Sequence, residues 1–89
     1  MNETRAIVTI HNEVIHFRPL ARLKELGRKL GVDIYLSYLG ETLPISSIIA
    51  ITAWELQRGG QVEVLVRGTG DLSSPLMTVK SFIEGGWGE

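Results

Sequence analysis

The chain has 89 residues, of which 44% are hydrophobic and 21% charged, and its formal net charge is −1. This length and composition predict one globular domain over residues 1–89, and the balanced charge argues against general binding of nucleic acids. Since the chain has no cysteine, no signal-peptide pattern and no apolar run of membrane-spanning length, we expect a cytoplasmic monomer without disulfide bonds.

The first strand and the first helix are predicted from a change of periodicity near residue 16. The segment RAIVTI, from Arg5 to Ile10, is rich in β-branched residues and predicts a strand. From His16 onward, apolar side chains recur at helical spacing and basic residues occupy the opposite arc. The apolar arc contains Leu20, Leu23, Leu26, Gly27 and Leu30. We expect Gly27 to let the helix approach a sheet closely and Gly31 to cap the end of the helix.

The rest of the chain predicts three more strands and two more helices. The segments VDIYLSYLG, TLPI and QVEVLVR predict strands, the last from its strict alternation. The segment SSIIAITAWELQRGG predicts a short helix capped by Ser46 or Ser47 and closed at Gly59, and SSPLMTVKSFIE predicts a final helix with a serine cap. The closing segment GGWGE, residues 85–89, is expected to form a mobile tail. The order β-α-β-β-α-β-α predicts an α+β fold in which helices cover one face of a sheet.

Several kinds of chemistry are weakly supported by the sequence. The two histidines do not form an HxxxH pair, and no cysteines or acidic cluster accompany them at ligand spacing. No serine lies on a glycine-flanked elbow, and neither glycine pair opens a helix after a strand. We therefore predict no metal site, no cofactor and no hydrolase triad.

His16 differs from an ordinary surface histidine in its position. It lies at or just before the first turn of the basic helix, where the backbone N–H groups of Phe17 and Arg18 have no intrahelical acceptors and the helix dipole favours anions. Pro19 suits this first turn, and Arg18 adds a planar, permanently charged donor for phosphate oxygens. An imidazole in this setting can accept a phosphoryl group. On spacing alone, an exposed histidine acting only as an N-cap beside a surface arginine remains the alternative.

Ser46 and Ser47 precede a helix that is apolar on several sides. A serine in this place usually serves only as a helix cap. However, a helix of this kind lies deep in the core or presents an apolar patch to a partner. Phosphorylation of the serine would add a strong negative charge beside that patch.

Together these features resemble HPr, the histidine-containing phosphocarrier of the bacterial sugar phosphotransferase system, from Ile7 to Glu89. The segment IHFRPLA is similar to the family's active-site motif, I/L-H-A-R-P-A, and LPISSIIAI is similar to the segment with its regulatory serine. The segment RGGQVEVLVRGTG is similar to its last strand. The resemblance implies an open-faced β-sandwich, in which three helices cover one side of a four-stranded antiparallel sheet. Phe17 departs from the motif because the family usually has a small residue there.

The resemblance also implies a role for each matching residue. His16 matches the histidine that enzyme I phosphorylates, and Arg18 matches the arginine that steadies the phosphoryl group. Ser47 matches the serine modified by HPr kinase/phosphorylase. The backbone N–H of Phe17 would bind the phosphate. Partners would dock on the first two helices through Leu20, Ile48, Ile49 and Thr52.

The function implied by the resemblance is that of a phosphoryl carrier and not of an enzyme. The chain would take a phosphoryl group from phosphorylated enzyme I and pass it to a sugar-specific enzyme IIA domain, without binding a cofactor, nucleic acid or membrane. An alternative is a regulatory module in which phosphorylation of Ser47 controls binding to a transcription factor or an enzyme. A third possibility is a domain of the same fold that is not phosphorylated and binds a partner through its second helix.

Overall fold

The computed structural model describes residues 1–88, which form four strands and three helices. The elements are β1 (Asn2–Thr9), α1 (Phe17–Leu30), β2 (Asp33–Tyr38), β3 (Glu41–Pro44), α2 (Ile48–Thr52), β4 (Gln61–Gly68) and α3 (Ser73–Glu84). This confirms the predicted order β-α-β-β-α-β-α. The first strand begins and ends earlier than the segment RAIVTI suggested, because β1 pairs with β4 along its whole length, from Asn2 opposite Gly68 to Thr9 opposite Gln61.

The four strands form one antiparallel sheet in the order β1-β4-β2-β3. Alternation places Val62, Val64 and Val66 of β4 on the face that the helices cover, together with Ile34 and Leu36 of β2. Each of these side chains is at most 2% exposed. They form one apolar core with side chains of all three helices, which confirms the predicted open-faced sandwich.

Helix α1 lies close to the sheet because of a glycine in its apolar stripe. A Cβ atom added at Gly27 would lie 2.9 Å from Cδ1 of Ile34, closer than a van der Waals contact allows. The helix ends as predicted at Gly31, which adopts the left-handed conformation with φ 69°.

The second and third helices differ from their predicted forms. Helix α2 has only five residues and does not extend to Gly59. Glu55 has φ 55°, and this turn of the chain brings Leu56 into the core. At α3 the N-cap is Leu72, and the carboxylate of Asp71, not a serine side chain, accepts the hydrogen bond from the Ser73 amide, at 2.9 Å.

The closing residues 85–88 correct the expectation of a mobile tail. Trp87 is fully buried, and its ring lies edge-on to Phe82 with 6.3 Å between the ring centres. The Trp87 amide also donates a hydrogen bond to the Phe82 carbonyl, at 2.8 Å. The segment is therefore part of the core because it supplies one of the largest buried side chains. Glu89, the last residue of that predicted tail, lies outside the described residues.

The face of the sheet opposite the helices is covered by charged side chains. Arg5 lies 3.2 Å from a carboxylate oxygen of Glu63 and 3.1 Å from one of Glu3. Arg67 pairs with Glu3 at 3.4 Å, and its guanidinium carbon lies 5.7 Å from the centre of the Tyr35 ring. The sheet therefore has one face buried under the helices and one face with exposed charged side chains. Within residues 1–88 no helix is long and apolar enough to cross a membrane.

Candidate functional site

His16 occupies the N-cap position of α1. Its backbone is extended, with φ −124° and ψ −156°, and no side chain forms a cap hydrogen bond at this helix end. The first turn contains no acidic residue. The imidazole is exposed, and it is not used to cap the backbone N–H groups that a helix leaves without partners in its first turn. It is therefore available to a second molecule.

The side chains that follow His16 divide between solvent and core. Phe17 is 62% exposed and Arg18 is also exposed, whereas Pro19 and Leu20 are buried. The structure thus brings the predicted histidine, arginine and Phe17 amide together at one helix end. The predicted docking role of Leu20 is wrong, because this side chain is fully buried and belongs to the apolar stripe of α1.

The loop that carries His16 is hydrogen-bonded to the segment that precedes β4. The Ile15 amide donates to the Leu56 carbonyl at 2.8 Å, and the Ile10 amide donates to the Gly60 carbonyl at 2.8 Å. The Ile15 side chain is 2% exposed. Because backbone bonds hold both ends of the loop and Ile15 is packed in the core, His16 has a defined position at the surface.

A further anchor of this loop comes from the end of the chain, and sequence reasoning missed it. The Asn12 side-chain amide donates a hydrogen bond to the Gly86 carbonyl at 3.0 Å. Gly86 is followed directly by the buried Trp87. The signal available in the sequence was a single tryptophan among glycines, where a solvent-exposed tail would seldom have a large aromatic residue.

The exposed surface of α1 has an excess of positive charge along its length, from Arg18 beside the site to Lys29 in the last turn. Arg18, Lys24 and Lys29 are exposed. Arg28 is also exposed, but it is paired with an acidic residue of the same helix. Its Nε donates a hydrogen bond to Glu25 at 3.0 Å, and this bond holds the pKa of the Glu25 carboxyl below its usual value. An acidic molecule would be attracted to this helix, since exposed cations act over about one Debye length.

Ser47 lies at the N-cap position of α2, with φ −82° and ψ 56°, and its side chain makes no cap hydrogen bond. It is half-buried, whereas Ser46 is exposed. Of the predicted docking residues on α2, Ile49 is 84% exposed, and Ile48 and Thr52 are half-buried. The Thr52 hydroxyl donates to the Ile49 carbonyl at 2.6 Å, so it is occupied within the helix. Ile49 is thus the most exposed of the residues predicted to dock a partner on α2.

No group of three or more histidine, aspartate or glutamate side chains is arranged to hold a metal ion within residues 1–88. The described site therefore consists of an exposed imidazole, an exposed guanidinium and the amides of one helix end.

Comparison with known proteins identifies relatives of this chain. A family model described as the PTS HPr component phosphorylation site matches residues 4–84. A solved structure titled HPr-C-His from Thermoanaerobacter tengcongensis is 21% identical, with a TM-score of 0.67, and the match covers 100% of this chain and 98% of that one. At this identity the likeness concerns the fold. A search of curated proteins found no match.

Proposed function

The chain belongs to the PTS HPr family, whose members are phosphocarriers of the phosphotransferase system, and we propose that His16 is its phosphoryl acceptor. In this proposal phosphorylated enzyme I is the donor and a sugar-specific enzyme IIA domain is the acceptor. The carrier would act in the cytoplasm as a monomer and would need no cofactor. The observation that supports the proposal is the exposed, uncapped imidazole at the N-terminus of α1, beside Arg18.

Each transfer breaks one bond to phosphorus and forms another. A ring nitrogen of His16 attacks the phosphorus, and the donor group leaves with the electron pair of the bond that breaks and takes up a proton. His16 releases the proton of its other ring nitrogen to solvent. In the second step the phosphorylated His16 imidazole is the leaving group, and a nucleophile of the acceptor forms the new bond. Since phosphoryl transfer depends mainly on positioning and on charge stabilisation, the carrier need supply only a well-placed nucleophile and donors for the phosphate.

Two kinds of donor would stabilise the phosphoryl group on His16. The first-turn amides of Phe17 and Arg18 lie at the positive end of the dipole of a 14-residue helix. The Arg18 guanidinium adds charge-assisted hydrogen bonds to phosphate oxygens. Pro19 has no N–H, so it removes a donor without disturbing the first turn.

The test is phosphorylation by enzyme I and phosphoenolpyruvate. We expect an acid-labile phosphoprotein that does not form with His16→Ala and forms more slowly with Arg18→Ala, by roughly tenfold or more if one charged hydrogen bond is lost. Leu39→Ala, at an 88% exposed residue in the β2–β3 turn, is the surface control and should react normally. Absence of phosphate from the unaltered chain would contradict the proposal.

Regulation through Ser47 is the second candidate function. Its support is that the Ser47 side chain makes no cap hydrogen bond and lies two residues from the exposed Ile49. A phosphoserine there would place about two negative charges beside an apolar surface and would change which partner binds. Acid-stable phosphate on Ser47 after incubation with HPr kinase/phosphorylase and ATP, absent in Ser47→Ala, tests this candidate. Acid-stable phosphate without any on His16 would favour it over the carrier.

A further inference from the structure

Phe17 exposes an aromatic ring beside the phosphoryl acceptor. Its side chain is 62% exposed, whereas the apolar residues Pro19, Leu20 and Leu23 of the same helix are buried. The ring is therefore not a core residue, and its function must lie outside the packing of α1. We propose that Phe17 determines partner specificity, because its ring enters an apolar recess beside the reacting group of the partner. This inference rests on the proposed function.

The geometry of the transfer brings any partner close to Phe17. Reacting atoms must approach to about 3–3.5 Å, and the Cα atoms of His16 and Phe17 are about 3.8 Å apart, as in any pair of adjacent residues. A protein that brings its reacting group to His16 therefore comes within reach of the exposed Phe17 ring. The ring is either accommodated by that protein or collides with it.

The ring cannot retreat into the core to avoid a collision. The core side of the first turn is already filled by Pro19 and by Leu20, which is fully buried. Well-packed interiors have no free space for a side chain of this size. A partner with a flat or filled surface at this point is therefore excluded, and a partner with a recess gains from burying the ring. Attraction and exclusion by one residue together produce specificity.

The surroundings of Phe17 indicate the chemistry of the partner surface. Val14, two residues before His16, is 49% exposed, so apolar side chains lie on both sides of the histidine in sequence. Beyond them, Arg18, Lys24 and Lys29 are exposed along α1. The complementary surface is a protein with an apolar recess next to its reacting group and with acidic residues that face α1.

The test measures phosphoryl transfer from the enzyme I encoded in the same genome, with the carrier as the varied substrate. Burying the exposed part of a phenylalanine ring changes an association constant by roughly tenfold. For Phe17→Ala we expect KM to rise by about that factor with a smaller change in kcat, and for Phe17→Leu an intermediate KM. Met77→Ala removes another exposed apolar side chain, 58% exposed on α3, and should leave KM unchanged within about twofold.

A second donor separates specificity from reactivity. With an enzyme I whose own carrier has alanine at the position of Phe17, we expect Phe17→Ala to react at least as fast as the unaltered chain. A KM for the first donor that is unchanged in Phe17→Ala overturns the inference. A similar loss with both donors also overturns it, because the residue would then act on the carrier itself.

A small phosphoryl donor distinguishes failure of the inference from failure of the proposed function. Phosphoramidate transfers its phosphoryl group to an exposed imidazole without docking. If the unaltered chain accepts phosphate from phosphoramidate on His16 but not from either enzyme I, the proposed carrier function fails and the inference fails with it. If enzyme I phosphorylates the unaltered chain normally and Phe17→Ala equally well, only the inference fails.

Discussion

Replacement of Trp87 by alanine tests whether the end of the chain belongs to the core. Trp87 is fully buried, and replacing a buried tryptophan by alanine costs about 3–5 kcal/mol. The indole Nε1 is buried without a hydrogen-bond partner among the described residues, so its removal offsets part of this cost. We therefore expect a loss near the lower end, about 3 kcal/mol, against a total stability of roughly 5–13 kcal/mol for a domain of this size.

The assay is urea unfolding followed by far-UV circular dichroism, which does not depend on the tryptophan signal that the substitution removes. A loss of about 3 kcal/mol lowers the midpoint of thermal unfolding by roughly 12–24 °C. Trp87→Phe keeps an aromatic ring and removes the unpaired N–H, so it should cost less than about 1.5 kcal/mol.

Trp54→Ala is the matched control for the loss of a tryptophan. Trp54 is only half-buried, although it donates a hydrogen bond to Glu41 at 2.6 Å and lies 5.7 Å from the Tyr38 ring centre. We expect Trp54→Ala to lower the free energy of unfolding by less than half as much as Trp87→Ala. If Trp87→Ala costs less than about 1 kcal/mol, or no more than Trp54→Ala, the closing residues do not contribute to the core and the reasoning is refuted.

Three further predictions concern a titration and two backbone positions. The Ser73 hydroxyl and amide donate hydrogen bonds to the Asp71 carboxylate and hold its pKa below the ordinary value. Its contribution to stability is therefore complete above the pKa of the unfolded chain, about 3.9, and disappears as the pH falls through the lower folded pKa. NMR titration of Asp71 should show this depression, and Ser73→Ala should partly reverse it; an unchanged pKa in Ser73→Ala would contradict the assignment. Gly27→Ala should destabilise the fold in urea, because overpacking against Ile34 costs about 1–3 kcal/mol and outweighs the gain of up to about 1 kcal/mol in helix propensity. Addition of Ile34→Val should recover part of the loss, and a stabilised Gly27→Ala would refute the close contact. Leu39→Asn should raise the thermal midpoint, with a gain of roughly 0.5–1 kcal/mol, because Leu39 is 88% exposed and has φ 49° in a two-residue hairpin turn. A lower midpoint would mean that Leu39 makes stabilising apolar contacts.

The position of His16 could be predicted from local sequence, but the exposure of its neighbours could not be predicted fully. A proline three residues after His16 and a run of helical spacing place the histidine at a helix start. The same spacing puts Leu20 in the apolar stripe, and the structure buries it there, although the family resemblance had suggested a docking role. Local periodicity was the better guide for this residue because it reflects the packing of this chain.

The length of α2 depended on contacts that a sequence pattern does not contain. The apolar run after Ser47 is compatible with a longer helix, yet the helix ends at Thr52. Beyond it the chain turns at Glu55, with φ 55°, and the Leu56 carbonyl then accepts a hydrogen bond from the Ile15 amide, 41 residues earlier in the chain, at 2.8 Å. A bond of this kind stabilises the turn only when the loop that carries His16 is already in place.

Local sequence was enough to predict the order of the elements, the apolar face of α1, the cap at Gly31 and the location of His16 at a helix start. These features follow from side-chain periodicity and from backbone preferences that act within a few residues. In contrast, the strand order β1-β4-β2-β3, the burial of Trp87 and the anchoring of the His16 loop depend on contacts between distant parts of the chain. The hydrogen bond from Asn12 to Gly86 joins residues 74 positions apart. Whether such distant groups meet depends on the space that the sheet and helices leave between them, and no local pattern encodes that space.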